Sequence, residues 1–98
     1  MSRLLDKATA LPEILRWLKK MSPGECLQVL TWKRDRYLSI KKQSAQVFFV
    51  QERGFSEQNF EVTPDKLRKL LKTLLRREFP RSNKIRTKVY VQNKENYQ

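Results

Sequence analysis

The most informative absence in this sequence is histidine, which does not occur among its 98 residues. Without imidazole, the chain has no Ser-His triad, no histidine metal site and no imidazole acid–base catalyst. A single cysteine, Cys26, excludes an intrachain disulfide and any zinc or iron–sulfur site built from several cysteines. We therefore expect no metal and no other cofactor.

Long apolar runs and acidic clusters are also missing. No stretch approaches the ~18 consecutive apolar residues that a membrane-spanning helix needs, and the N-terminal segment lacks the apolar core of a secretory signal. The acidic residues are scattered without a metal-binding spacing, and Gly24 and Gly54 are too isolated to form a phosphate-binding loop. These absences predict a soluble, cytoplasmic protein.

Positive charge dominates the composition that remains. The chain carries 22 lysines and arginines against 10 acidic residues, which gives a formal net charge of +12. Charged residues make up 33% of the chain, compared with ~25% in typical domains. An excess of this size favours a polyanionic partner.

Apolar residues at helical spacing predict a first helix that begins near Pro12, because proline is tolerated in the first helical turn. Residues 1–10 are expected to form a frayed, partly helical lead-in that Pro12 separates from this helix. Ser22-Pro23-Gly24-Glu25 predicts a type II turn at its end. The apolar stripe consists of Leu11, Ile14, Leu15, Leu18 and Met21.

The strongest boundary signal, Thr63-Pro64-Asp65, predicts a second helix. Threonine can cap a helix, proline fits its first position, and aspartate complements the positive end of the helix dipole. Pro80 is expected to end this helix. Its apolar stripe is formed by Leu67, Leu70, Leu71, Leu74 and Leu75.

Between and after the helices, the apolar pattern changes to that of strands. Residues 47–50 form an apolar run typical of a strand that is buried on both faces in the middle of a sheet. Phe60 and Val62 suggest a short additional strand. The remaining predicted strands are residues 26–32, residues 37–41 and residues 85–91, the last with one face in solvent.

The elements together predict an α+β fold: a single two-layer domain over residues 1–98, in the order α-β-β-β-(β)-α-β. We expect an antiparallel-rich sheet with the helices packed on one face, and a frayed tail over residues 93–98. The α-β-β-β-α order of residues 11–79, with its basic second helix, resembles the layout of the double-stranded-RNA-binding domain. That family's loop histidine and lysine-alanine-rich second helix are absent here, so the resemblance assigns no residue a role.

The second helix places leucines on one side and cations on the other. Residues 66–88 contain ten basic residues and one acid. Solvated helix faces usually mix charges, because oppositely charged pairs stabilise a helix and like charges repel by about a few tenths of a kcal/mol per pair. We therefore favour a phosphate-binding surface over a merely solvated face. The candidate residues on the helix are Lys66, Arg68, Lys69, Lys72, Arg76 and Arg77.

The segment after the helix is expected to extend the same basic patch. Arginine binds phosphate through two parallel hydrogen bonds, and alternating cations and aromatic rings are typical of single-strand-binding surfaces. The alternative is an edge strand that charge protects from aggregation. The candidate residues here are Arg81, Lys84, Arg86, Lys88 and Tyr90.

Other aromatic residues and the cysteine are less informative. Trp32 and Tyr37 are candidates for stacking on bases, whereas Trp17 adjoins the apolar stripe of the first helix and is interpreted as a core or boundary residue. Cys26 is interpreted as a small buried apolar residue.

These observations favour a small, non-enzymatic nucleic-acid-binding protein. RNA is favoured over DNA as its ligand, since strands separate the two helices and the sequence shows no convincing helix-turn-helix. One alternative is a ribonuclease-toxin-like enzyme that would use Tyr90, Arg81, Arg86 and Glu78. A second alternative is an adaptor whose cationic helix binds an acidic protein or an anionic membrane surface.

Overall fold

A computed structural model describes residues 2–31, 36–54, 56–79 and 84–91, except the side chains of residues 2, 3 and 91. These residues form two helices and six strands. The helices are α1, Lys7–Lys20, and α2, Pro64–Glu78. The strands are β1, Ser2–Asp6; β2, Glu25–Leu30; β3, Tyr37–Ser44; β4, Val47–Arg53; β5, Glu57–Val62; and β6, Lys84–Val91.

The six strands form one antiparallel sheet in the order β1-β6-β2-β3-β4-β5. Both helices pack on the same face of this sheet, so the predicted two-layer α+β domain is confirmed. β5 is the additional strand that Phe60 and Val62 suggested. The described order therefore adds β1 to the predicted α-β-β-β-(β)-α-β order.

The core lies between the helices and the sheet face that they cover. Alternate residues of each strand point into it, and both helices contribute the stripes that the sequence predicts. Leu70 is half-buried at the rim of the stripe on α2. The most completely buried members include Ile14, Leu18, Leu27, Leu38, Ile40, Leu71, Leu74, Phe79 and Ile85.

The N-terminal segment differs from the predicted lead-in. Residues 2–6 form a strand that pairs with β6, and Leu5 is buried opposite Ile85. α1 begins at Lys7 and therefore contains Pro12, which the sequence placed at the helix start. The missing N–H of Pro12 removes one hydrogen bond to the carbonyl of Ala8, and both residues lie on the exposed side of the helix, where water can replace that bond.

The apolar run in β4 is buried on one face only. Phe48 and Val50 lie under the helices, whereas Val47 and Phe49 are half-buried on the opposite face. The prediction of burial on both faces is wrong because both helices pack on the same side. The strand does lie inside the sheet, between β3 and β5.

Basic side chains from other elements cap the C-terminal end of each helix. The ammonium of Lys42, on β3, donates to the carbonyls of Leu18 and Lys19 at 3.1 Å each. Lys7 donates to the carbonyl of Phe79, at the end of α2. Cations at this end complement the negative end of the helix dipole and satisfy carbonyls that have no partner within the helix. These lysines therefore stabilise the fold.

The start of α2 agrees with the predicted boundary. Pro64 occupies the first turn, and Asp65 supplies the acidic residue there. Thr63 occupies the N-cap position, but its side-chain oxygen accepts no capping hydrogen bond from a backbone N–H of the helix. Its hydroxyl donates to the Asp65 carboxylate instead, and this hydrogen bond lowers the pKa of Asp65. Pro80, expected to end the helix, lies outside the described residues, and so does the tail over residues 93–98.

Candidate nucleic-acid interface

The outer surface of α2 is a line of exposed cations. Its leucines face the sheet, so the basic residues between them point into solvent, as the sequence predicts. Within the part of the chain that the structure describes, no ion pair involves any of these exposed cations. We call them the helix surface: Lys66, Arg68, Lys69, Lys72 and Arg76.

Arg77, also a candidate from the sequence, has a partner within the protein. Its Nε and a terminal guanidinium nitrogen donate to the two carboxylate oxygens of Glu52, at 2.8 and 2.7 Å. Glu52 is fully buried on the helix-covered side of β4. Arg77 therefore neutralises a buried carboxylate, a role that the sequence does not distinguish from that of Arg76 beside it.

This contact also sets the pKa values of the pair. Burial acts to raise the pKa of Glu52, but its hydrogen bonds to Arg77 and Glu78, together with the charge of Arg77, hold it below the usual 4.5. The hydrogen bond to Glu52 raises the pKa of Arg77. Both shifts favour the charged forms and therefore the ion pair.

Glu78 lies in the same buried region. Its Oε2 accepts a hydrogen bond from the backbone N–H of Ser56 at 3.3 Å, and its side chain lies against Gly54. A Cβ on Gly54 would collide with the Glu78 carboxylate and lie 2.9 Å from the Cβ of Arg36. The close approach of backbone and carboxylate at this point therefore requires glycine.

β6 is an interior strand, paired with β1 on one side and with β2 on the other. The alternative that its charges protect an exposed edge is therefore wrong. Ile85 and Thr87 are buried beneath the helices, so Arg86, Lys88 and Tyr90 point to the opposite face of the sheet, which no described element covers.

The candidate residues consequently lie on two surfaces rather than one. The helix surface and the outward side chains of β6 are on opposite sides of a molecule whose smallest extent is 24 Å. The prediction of one continuous basic patch over residues 66–88 is wrong, because strand alternation turns the polar positions of β6 away from the layer that contains α2. Arg81 lies outside the described residues.

The same division separates the residues named for a ribonuclease. Glu78 is buried on the helix-covered side of the sheet, whereas Arg86 and Tyr90 are on the uncovered face. Among the described residues these three groups do not form one site.

The register of the sheet places the outward side chains of its four interior strands in three rows, each running from β6 through β2 and β3 to β4. We call these rows the open face. The first row is Arg86, Leu30, Tyr37 and Arg53. The second is Lys88, Gln28, Ser39 and Gln51, and the third is Tyr90, Cys26, Lys41 and Phe49.

The sequence predicted only part of this surface. Tyr37 lies on it half-buried, in the same row as Arg86 of β6 but separated from it by Leu30 of β2. Lys41, Gln28 and Phe49 were not predicted, because alternation within a strand identifies its faces but not its register with neighbouring strands. Lys84, a candidate at the margin of the open face, pairs with Asp6 on β1.

Trp17 is half-buried and packs against the core, so its interpretation as a boundary residue is confirmed. Cys26 is fully buried, also as predicted. Trp32 is outside the described residues.

The described residues contain no group of three or more side chains that could hold a metal ion, and neither described helix has the length and hydropathy to cross a membrane. Comparison of the chain with family models, curated proteins and solved structures found no significant match.

Proposed function

We propose that this protein binds nucleic acid, RNA in preference to DNA, and holds the phosphate backbone through the helix surface. The observation that supports this proposal is the exposure of five cations on one helix, none of which forms an ion pair with another described residue. Like charges this close repel one another. A phosphate backbone supplies the missing negative charge and releases condensed counter-ions when it binds.

The orientation of α2 argues against an anionic membrane as the partner. Interfacial helices insert their apolar side into the bilayer. The leucines of α2 instead pack against the sheet: Leu67, Leu71 and Leu74 are at most 3% exposed. The exposed side of the helix therefore offers charge but little apolar area, which suits a water-exposed polyanion.

Charge alone does not distinguish RNA from DNA. The preference for RNA rests on the architecture, because the two helices are separated in sequence by four strands and form no helix-turn-helix. A helix layer on an antiparallel sheet is a common format for RNA recognition.

A salt series with matched variants tests the proposal. The affinity of the full chain for single-stranded RNA, duplex RNA and duplex DNA is measured at several salt concentrations. Each phosphate contact contributes ~0.7–0.9 to the slope of log K against log salt. The triple variant Lys69→Gln, Lys72→Gln and Arg76→Gln should weaken binding to all sequences alike and flatten this slope by about 2 to 3.

The control variant removes three exposed cations from the neighbouring helix: Arg16→Gln, Lys19→Gln and Lys20→Gln. Both triple variants lower the net charge equally and leave the core untouched. If the control weakens binding as much as the α2 variant, only overall charge matters and the proposed site on α2 is wrong. Gel analysis of the same RNA after incubation tests the ribonuclease alternative, and an acidic protein that competes with RNA would favour the adaptor.

A further inference from the structure

The open face has a charge distribution of its own. Across the described strands, the outward positions of β6, β2, β3 and β4 include no acidic side chain. Among the described residues on this side, the acidic side chains belong to the edge strands: Glu57 and Glu61 on β5 and Asp6 on β1. The middle of the face is electropositive, with Lys41, Arg53, Arg86 and Lys88 as its cations.

Aromatic rings lie among these cations. Tyr90 and Phe49 belong to the same row, three strands apart, which places their backbones about 14 Å from each other at the usual strand spacing. Tyr37 lies on β3 at the other end of the face. All three residues are half-buried, so each keeps part of its surface in contact with solvent.

The row between the aromatic residues is polar and largely uncharged. Gln28 and Gln51 are both half-buried, and they flank Ser39 on the central strands. An amide side chain offers hydrogen-bond donors and an acceptor, the same combination that base edges present. A surface that needed only solubility would require neither the aromatic rings nor the half-buried amides.

We propose that the open face binds single-stranded RNA, with bases stacked on Tyr90 and Phe49 and phosphates held by Lys88 and Lys41. The proposal shares its ligand class with the proposed function but uses the opposite side of the molecule. Paired bases in a duplex are stacked inside the helix, so only unpaired bases can reach the rings. A second copy of the chain would bring like charges together across this face, which disfavours self-association there.

Stacking is tested with two substitutions at Tyr90. Tyr90→Leu removes the ring and should weaken binding of a single-stranded RNA of about eight nucleotides roughly tenfold, the scale of one lost base stack. Tyr90→Phe retains the ring and should bind as the unmodified chain does. Equal losses from both substitutions would assign the effect to the hydroxyl and overturn the stacking proposal. Thermal unfolding of each variant verifies the fold.

The ligands provide a second criterion. The effect of Tyr90→Leu should vanish with duplex RNA of the same sequence and with an abasic strand, which keeps the phosphates but has no bases to stack. Single-stranded DNA of the same sequence should bind more weakly if the open face contacts ribose hydroxyls. A Tyr90→Leu effect that persists on the abasic strand contradicts base stacking.

Phosphate contacts are tested with Lys88→Gln, an exposed substitution that leaves packing unchanged, against Lys20→Gln as a control of equal charge on α1. Lys88→Gln should weaken single-strand binding and lower the salt slope by about 1, and the control should do neither. Equal effects of the two substitutions would overturn the site on the open face.

The two proposed surfaces can fail separately. If the α2 triple variant abolishes binding while the substitutions at Tyr90 and Lys88 have no effect, the open-face proposal is wrong and the proposed function stands. The reverse pattern supports the open face and contradicts the helix surface. Absence of binding to every nucleic acid overturns both, and a dimer that Tyr90→Leu dissociates would identify the open face as a self-association surface.

Discussion

Neighbouring basic residues of the same type differ in role according to whether they point into the protein or out of it. On β3, Lys42 lies beneath α1 and caps its carbonyls, whereas Lys41 points to the open face. On α2, Arg77 pairs with a buried carboxylate, whereas Arg76 is exposed to solvent. The comparison shows that the charge of a segment indicates binding only after each cation has been assigned to a face, because part of the positive charge stabilises the fold.

The largest expected difference between the faces is in packing. Leu71→Ala should lower the free energy of unfolding by ~2–5 kcal/mol, because it leaves a cavity where the side chain is only 1% exposed. Gln51→Ala, on the open face, should change it by less than about 0.5 kcal/mol. Denaturant unfolding of both variants measures the contrast. If both variants lost a similar free energy of unfolding, the side chain of Gln51 would be packed in the folded chain and the open face would not be a free surface.

The next contrast is between the two neighbouring arginines of α2. Arg77→Gln leaves the carboxylate of Glu52 buried without its bidentate partner, so the melting temperature should fall. Arg76→Gln should leave the melting temperature unchanged and weaken RNA binding. If Arg77→Gln instead kept its melting temperature and bound RNA more weakly, Arg77 would belong to the nucleic-acid interface.

The neighbouring lysines of β3, Lys41 and Lys42, are expected to differ less in their contributions to stability. Lys42→Met keeps the aliphatic stem but removes two charge-assisted hydrogen bonds to the end of α1, which should cost ~1–3 kcal/mol of stability. Lys41→Met should cost less than about 0.5 kcal/mol and reduce single-strand binding instead. Urea unfolding and RNA titration on both variants give the two readouts, and equal stabilities would show that Lys42 does not hold α1.

The smallest expected effect is the contribution of one carboxylate to pH dependence. The pKa of Glu52 is lower in the folded chain than its usual 4.5, so its contribution to stability is present above that pH and is lost as the pH falls through the lowered value. Glu52→Gln should therefore be less stable than the unmodified chain near neutral pH, and the difference should shrink in acid. A difference independent of pH would contradict the ion pair with Arg77.

Much of the fold follows from local patterns in the sequence. The stripe on α2 and the alternation in β6 predicted those elements because each must bury one apolar side. The strand at residues 2–6 was missed, because five residues carry too little periodicity and their partner, β6, is at the other end of the sequence. Pro12 added to this error by marking a helix start inside α1.

The sequence predicts many of the individual residues of the two candidate surfaces, but it does not predict which of them lie next to one another. Composition identifies the cations of α2 and β6, and helical spacing identifies which of them are exposed. Neither reveals that Arg77 meets Glu52, because that ion pair depends on how α2 packs on β4. Nor does either reveal that Lys41 and Phe49 lie in one row with Tyr90, because the row depends on strand order and register.

β6 lies between β1 and β2, so the open face can be completed only after the last strand in the sequence has been translated. β1 leaves the ribosome early, yet its pairing partners are residues 84–88, so closing the sheet incurs the entropy of a long loop. A nascent chain that ends before residue 84 contains all of α2 but neither Lys88 nor Tyr90. The cations of the helix surface are thus translated before the open face can be assembled.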